Sequence, residues 1–120
     1  MKKLGIALFG VLALSGNAMA EVKLTDTHVE LIMVALQKGL KDPDSMKLGQ
    51  MAAAEMKKGV ILVCGWVNAK NSFGGYTGEV PFTVAIAPSE KFGKLIRIAS
   101  TDTEFRSIQQ FCAQGGAPLP

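Results

Sequence analysis

Histidine occurs once in this 120-residue chain, cysteine twice, and tryptophan and tyrosine once each. These shortages exclude much chemistry. A zinc site draws on several His, Cys or carboxylate ligands, and none is grouped around His28, so neither a metal nor a cofactor is expected. His28 itself reads as a solvated residue in the first turn of a helix. Nucleophilic catalysis needs a base beside a Ser, Thr or Cys, and no such pairing is visible. The carboxylates fall as Asp42 and Asp44, Glu79, and Asp102 and Glu104, with no spacing that brings two together for glycosidase-type work. No catalytic residue is assigned. After the first twenty residues, Lys57-Lys58 is the only adjacent basic pair, so the dense basic stripe that neutralises phosphates is missing and nucleic acid is not an expected partner.

Long apolar runs are also missing. The longest begins the chain: "MKKLGIALFGVLALSGNAMA" carries Lys2 and Lys3, an apolar stretch from Leu4 to Leu14, and Ala18-Met19-Ala20 as a small-x-small cleavage site. It reads as a secretory signal peptide covering residues 1–20, since a membrane span needs about 20 consecutive apolar residues. The expected mature chain, 21–120, has no membrane span and is periplasmic or secreted. The precursor has 13 basic against 10 acidic residues, and loss of the two leader lysines leaves 11 against 10. The high isoelectric point therefore says little about the working protein.

What remains suits one domain of about 100 residues, small enough to gain from a covalent staple. In an oxidising compartment, Cys64 and Cys112 are expected to form a disulfide. Closing that loop stabilises the fold by roughly 4 kcal/mol in the chain-entropy model.

The patterning predicts an α+β fold. Thr27 and Glu30 suggest a capping box, and Val29, Ile32, Met33, Leu36 and Leu40 recur at helical spacing, giving a helix from about 27 to 40 that Gly39 and Asp42-Pro43 end. Residues 45–58 are ambiguous: Ala52 to Lys58 has helix propensity, whereas Met46, Leu48 and Gln50 alternate with Lys47, Gly49 and Met51 like an edge strand. We favour a strand beginning near Ser45. Met46, Met51 and Met56 read as core filling rather than copper ligands. Val60 to Val67, the alternating Phe82, Val84 and Ile86, and Leu95 to Ala99 read as further strands, joined by short links and hence antiparallel, in a sheet of about four. Thr101 and Glu104 suggest a second capping box, starting a final helix with Phe105, Ile108, Phe111 and Cys112 on its inner face, so the disulfide would pin it beside Trp66. The tail "GGAPLP" is expected to be loose.

The combination "LKDPDSMKL", "CGWVNAKNSFGGYTG" and "VPF" resembles a group of small exported proteins of Gram-negative bacteria that carry Asp-Pro-x-Ser, then Cys-Gly-x-Val-Asn-Ala-Lys-Asn and Gly-Gly-Tyr. The resemblance spans roughly Leu40 to Phe82. It implies export, a shared fold and an extended segment from Ser45, although Met46 and Leu48 stand where small and aromatic residues are expected. It implies no activity.

One stretch stands out. Asn68, Lys70, Asn71 and Ser72 offer polar groups, Phe73 and Tyr76 offer flat apolar surface, and Gly74-Gly75 permits a tight turn. Glycine and asparagine suit any hairpin, but a turn needs no aromatics. Asn68, Lys70, Asn71, Phe73 and Tyr76 are therefore the candidate binding residues, on a hairpin over 68–78 that engages an envelope or secreted protein partner in the manner of an inhibitor or immunity protein. Two alternatives remain: a cell-envelope hydrolase or other enzyme with a concave site joining Asn68, Tyr76 and Glu79, and an envelope structural protein with no discrete site.

Overall fold

The computed structural model describes residues 21–120; the expected signal peptide lies outside the described residues. Two helices flank one sheet. Helix α1 (Asp26–Gln37) is followed by strands β1 (Asp42–Glu55), β2 (Ile61–Lys70), β3 (Val80–Ile86) and β4 (Gly93–Ile98), and by helix α2 (Asp102–Gln114). The strands pair in chain order, all antiparallel, as the short links require.

Alternation along β2 and β3 divides the core in two. Val63, Val67, Phe82, Val84 and Ile86 bury one sheet face against Ile32, Ala35 and Leu36 of α1. Leu62, Cys64, Ala54 and Ala99 lie on the other face with Ile108 and Cys112 of α2. Cys64 and Cys112 are bonded, their Cα atoms 6.1 Å apart, and no free cysteine remains among the described residues. Beside the bridge, the Trp66 and Phe105 rings meet at 5.6 Å between centroids.

Residues 42–55 are one strand, so tertiary pairing overrides the helix propensity of the alanines. Its alternation breaks because Leu48 and Met51 pair with Val67 and Gly65, leaving one extra residue on β1. That bulge turns Met51 onto the same α1-facing cluster as Met46 and Leu48, whereas simple alternation sets it opposite them. Met56 packs with the α2-facing cluster, so all three methionines fill core. Gly65 faces the bulge: a Cβ there would lie 2.6 Å from Met51 Cγ and 2.8 Å from the Gln50 carbonyl oxygen.

Further expectations need correction. The N-cap of α1 is Thr25, not Thr27, because His28 rather than Glu30 completes the capping box: Thr25 Oγ1 accepts from the His28 amide and His28 Nδ1 accepts from the Thr25 amide. His28 is correspondingly buried rather than solvated, and its Nε2 donates to Glu90 Oε1 at 2.6 Å, tying α1 to the β3–β4 turn. Phe111 is 43% exposed on the flank of α2, since the buried stripe of that helix runs through Ile108 and Cys112. The tail is docked: Ala117 is buried, Leu119 packs on the α2-side core, and Trp66 Nε1 donates to the Pro120 carbonyl oxygen at 2.9 Å. The indole N–H needed an acceptor, and the last residues supply it.

Candidate functional site

The loop between β2 and β3 is tied down along its length. Asn71 starts it: Oδ1 accepts from the amides of Phe73 and Gly75 at 2.9 and 3.2 Å, and the Asn71 carbonyl accepts from the Gly74 amide. This is a side chain copying a backbone turn, completed by Gly74 at φ +84°. Farther down, Asn68 Oδ1 accepts from the Gly78 amide at 3.1 Å, and the Thr77 amide donates to the Ala69 carbonyl. Both asparagines thus devote their carbonyl oxygens to the loop's own backbone.

The two aromatics separate. Phe73 stands 96% exposed at the tip. Tyr76 folds back: its hydroxyl donates to the Ser45 carbonyl at 3.0 Å, and Lys47 Nζ and Lys70 Nζ lie 4.5 and 5.6 Å from its ring centre. It remains 41% exposed, so part of its face is still presented.

Ser45 is the residue that the sequence reading passed over. Its hydroxyl donates to the Asp42 carbonyl and accepts from the Lys70 amide, both at 2.7 Å. Here β1 has extra residues between Asp42 and Lys47, opposite Lys70 and Asn68, and the hydroxyl supplies the bond that regular pairing omits. The Asp-Pro-x-Ser and Gly-Gly-Tyr segments, 31 residues apart from Ser45 to Tyr76, therefore meet in one network. Their co-occurrence was the available signal, although neither segment alone names the other as partner.

Two clefts flank the loop. One of about 580 Å³ opens at its base, with Lys41, Lys70, Asn71 and Thr77 among its walls. The other, about 420 Å³, lies between Gly49, Gln50, Trp66, Glu79 and Pro120. Neither brings Asn68, Tyr76 and Glu79 together, and Glu79 instead packs against Gly49. Among the described residues no group of three or more His, Cys, Asp or Glu side chains is placed to hold a metal, and no helix is long and apolar enough to cross a membrane. At the start of α2, the Ser100 hydroxyl and amide, followed by Arg97, hold the Glu104 carboxyl below the usual range. Compared with known proteins, the chain matches no family model, no curated protein and no solved structure.

Proposed function

We propose that this protein is a small exported binding module, active in the periplasm or outside the cell, that engages a protein partner through the 68–78 hairpin as an inhibitor or immunity protein does. The observation that carries the reading is Phe73, 96% exposed at the tip of a loop whose backbone is already hydrogen-bonded. A turn gains nothing from a phenylalanine in water, whereas burial of such a ring in a partner is a common source of hot-spot affinity. Preorganisation adds to this. Asn71, Asn68 and Ser45 fix the loop before any encounter, so little ordering entropy is lost on binding. The disulfide accords with an oxidising compartment.

The test is capture from periplasm with tagged protein, followed by quantitative comparison of one identified partner with Phe73→Ala. That variant should unfold within about 0.5 kcal/mol of the parent, as surface substitutions do. It should bind the partner about tenfold or more weakly, since a hot-spot aromatic is worth about 2 kcal/mol. Undiminished capture by Phe73→Ala would remove the main support for the hairpin.

A further inference from the structure

A third cleft, of about 330 Å³, lies between α2 and β4, and none of residues 68–78 lines it. Irregular pairing builds it. Thr83 and Val84 of β3 pair with Arg97 and Leu95, so Ile96 is an extra residue on β4. Leu95 and Ile98 pack on the α1-side core, while Ile96 and Arg97 both line the cleft, two consecutive side chains turned to one face as a bulge allows. Ser107, Ile108 and Phe111 of α2 and Thr83 of β3 complete the lining. Ile96 and Phe111, both half-exposed, form walls at the mouth, and Thr83, 1% exposed, lies at the floor.

Thr83 is the residue that points to a ligand. Its hydroxyl has one contact among the described residues, the Cys112 sulfur at 3.7 Å. That sulfur belongs to the disulfide and has no proton, so the hydroxyl is the donor there, and its lone pairs are left without a donor. A buried acceptor in that state is costly unless something in the cleft pairs with it. Charge decides the class of occupant. Arg97 is the one charged residue in the lining, and Glu104 Oε2 already accepts from its Nη1 at 3.1 Å, so a neutral occupant needs no further counter-ion. We propose that this cleft binds a small neutral molecule of the phenol class, its ring between Ile96, Ile108 and Phe111 and its hydroxyl donating to Thr83 Oγ1. A ring gains from offset or edge contact with Phe111 beyond the area it buries, and a phenol brings one directed donor to the unpaired acceptor. The volume is at the low end of the range for small-molecule sites, which suits one free ring rather than a peptide segment. Because the site shares no residue with the hairpin, it stands or falls independently of the protein-binding reading.

The probe is p-cresol, uncharged at neutral pH, titrated into isotope-labelled protein and followed by amide chemical shifts. Saturable shifts are expected at 83, 96–97 and 107–111. The methyl ether of p-cresol cannot donate to Thr83 and should bind about threefold or more weakly. Thr83→Val keeps the shape of the side chain, removes the unpaired hydroxyl and should bring the two affinities together, which a merely structural role for Thr83 would not do. Phe111→Ala, at an exposed position, should weaken both compounds alike. The proposal is overturned by the absence of saturable shifts at those positions, by equal affinity of the parent for p-cresol and its ether, or by an unchanged preference in Thr83→Val. It is also overturned if N-acetyl-tyrosine amide binds as tightly as p-cresol, which would give the cleft to a tyrosine of a protein partner.

Discussion

The two faces of the sheet are held by different means. On the α1 side, large side chains interlock: Ile32 and Leu36 meet Val63, Phe82, Val84 and Ile86, all nearly or wholly excluded from water. On the α2 side the buried set includes three alanines, and only Leu62 and Ile108 are large aliphatics. Burial of aliphatic area is worth about 25 cal/mol per Å², so the second face has less with which to hold a helix. There the chain adds the Cys64–Cys112 bond, the Trp66–Phe105 contact and the bond from Trp66 to Pro120. A thin core can therefore position a helix when covalent and directional contacts supplement it. The same bond fixes β2, the strand from which the candidate hairpin leaves.

Breaking the covalent half of this comparison should give the largest effect. Cys64→Ser with Cys112→Ser should lose about 2–5 kcal/mol in chemical denaturation, and hydrogen exchange should accelerate in α2 before α1. An equal acceleration in both helices would mean that the bond serves the whole domain rather than the thin face.

Truncation on each side sharpens the contrast. Leu36→Ala should cost about 2–5 kcal/mol because it leaves a cavity in a close-packed layer. Ile108→Ala should fall in the same range in the oxidised protein, and its cost measured after removal of the bridge should differ, since two contacts that hold one helix are coupled. Strict additivity would show the bridge and the packing to be independent.

A smaller effect is expected at the start of α1. His28→Ala removes half of the Thr25 capping box and the tie to Glu90, which together should cost about 1–2 kcal/mol. Glu90→Ala isolates the second contact, and a change there as large as that of His28→Ala would assign the effect to the tie and not to the cap.

The smallest expected effect is at the start of α2. Because its carboxyl is held below its ordinary value of 4.5, Glu104 contributes stability above that value, which is lost as pH falls through the depressed folded-state value. Glu104→Gln should therefore lower the melting temperature slightly at neutral pH, and the gap should close in acid. A gap that persists in acid would point to lost packing instead of lost charge.

Much of the fold was legible in the sequence because its signals are local. Apolar repetition every three to four residues marked α1, strict alternation marked β3, and Thr101 with Glu104 marked the start of α2, where the hydroxyl does accept from the Glu104 amide although the Glu104 carboxylate turns to Ser100 instead of closing the box on the Thr101 amide. The even cysteine count pointed to the disulfide. The α1 cap misled because Thr25 and Thr27 offer the same chemistry, and the choice between them depended on Glu90, distant in sequence, drawing His28 inward. Met51 misled because a bulge changes the facing of every residue after it, and this bulge depends on the partner strand's Gly65 admitting the Gln50 carbonyl.

At the hairpin the same division holds. Composition by itself determined that a turn lies between β2 and β3 and that it carries two aromatics, since glycine and asparagine favour turns wherever they occur. Only the tertiary structure decided that Tyr76 reaches back to Ser45 while Phe73 faces water, because that choice depends on a carbonyl 31 residues away presented by an irregular strand. Local conformational preference is written residue by residue; the acceptor that a hydroxyl meets is set by how two distant segments pack.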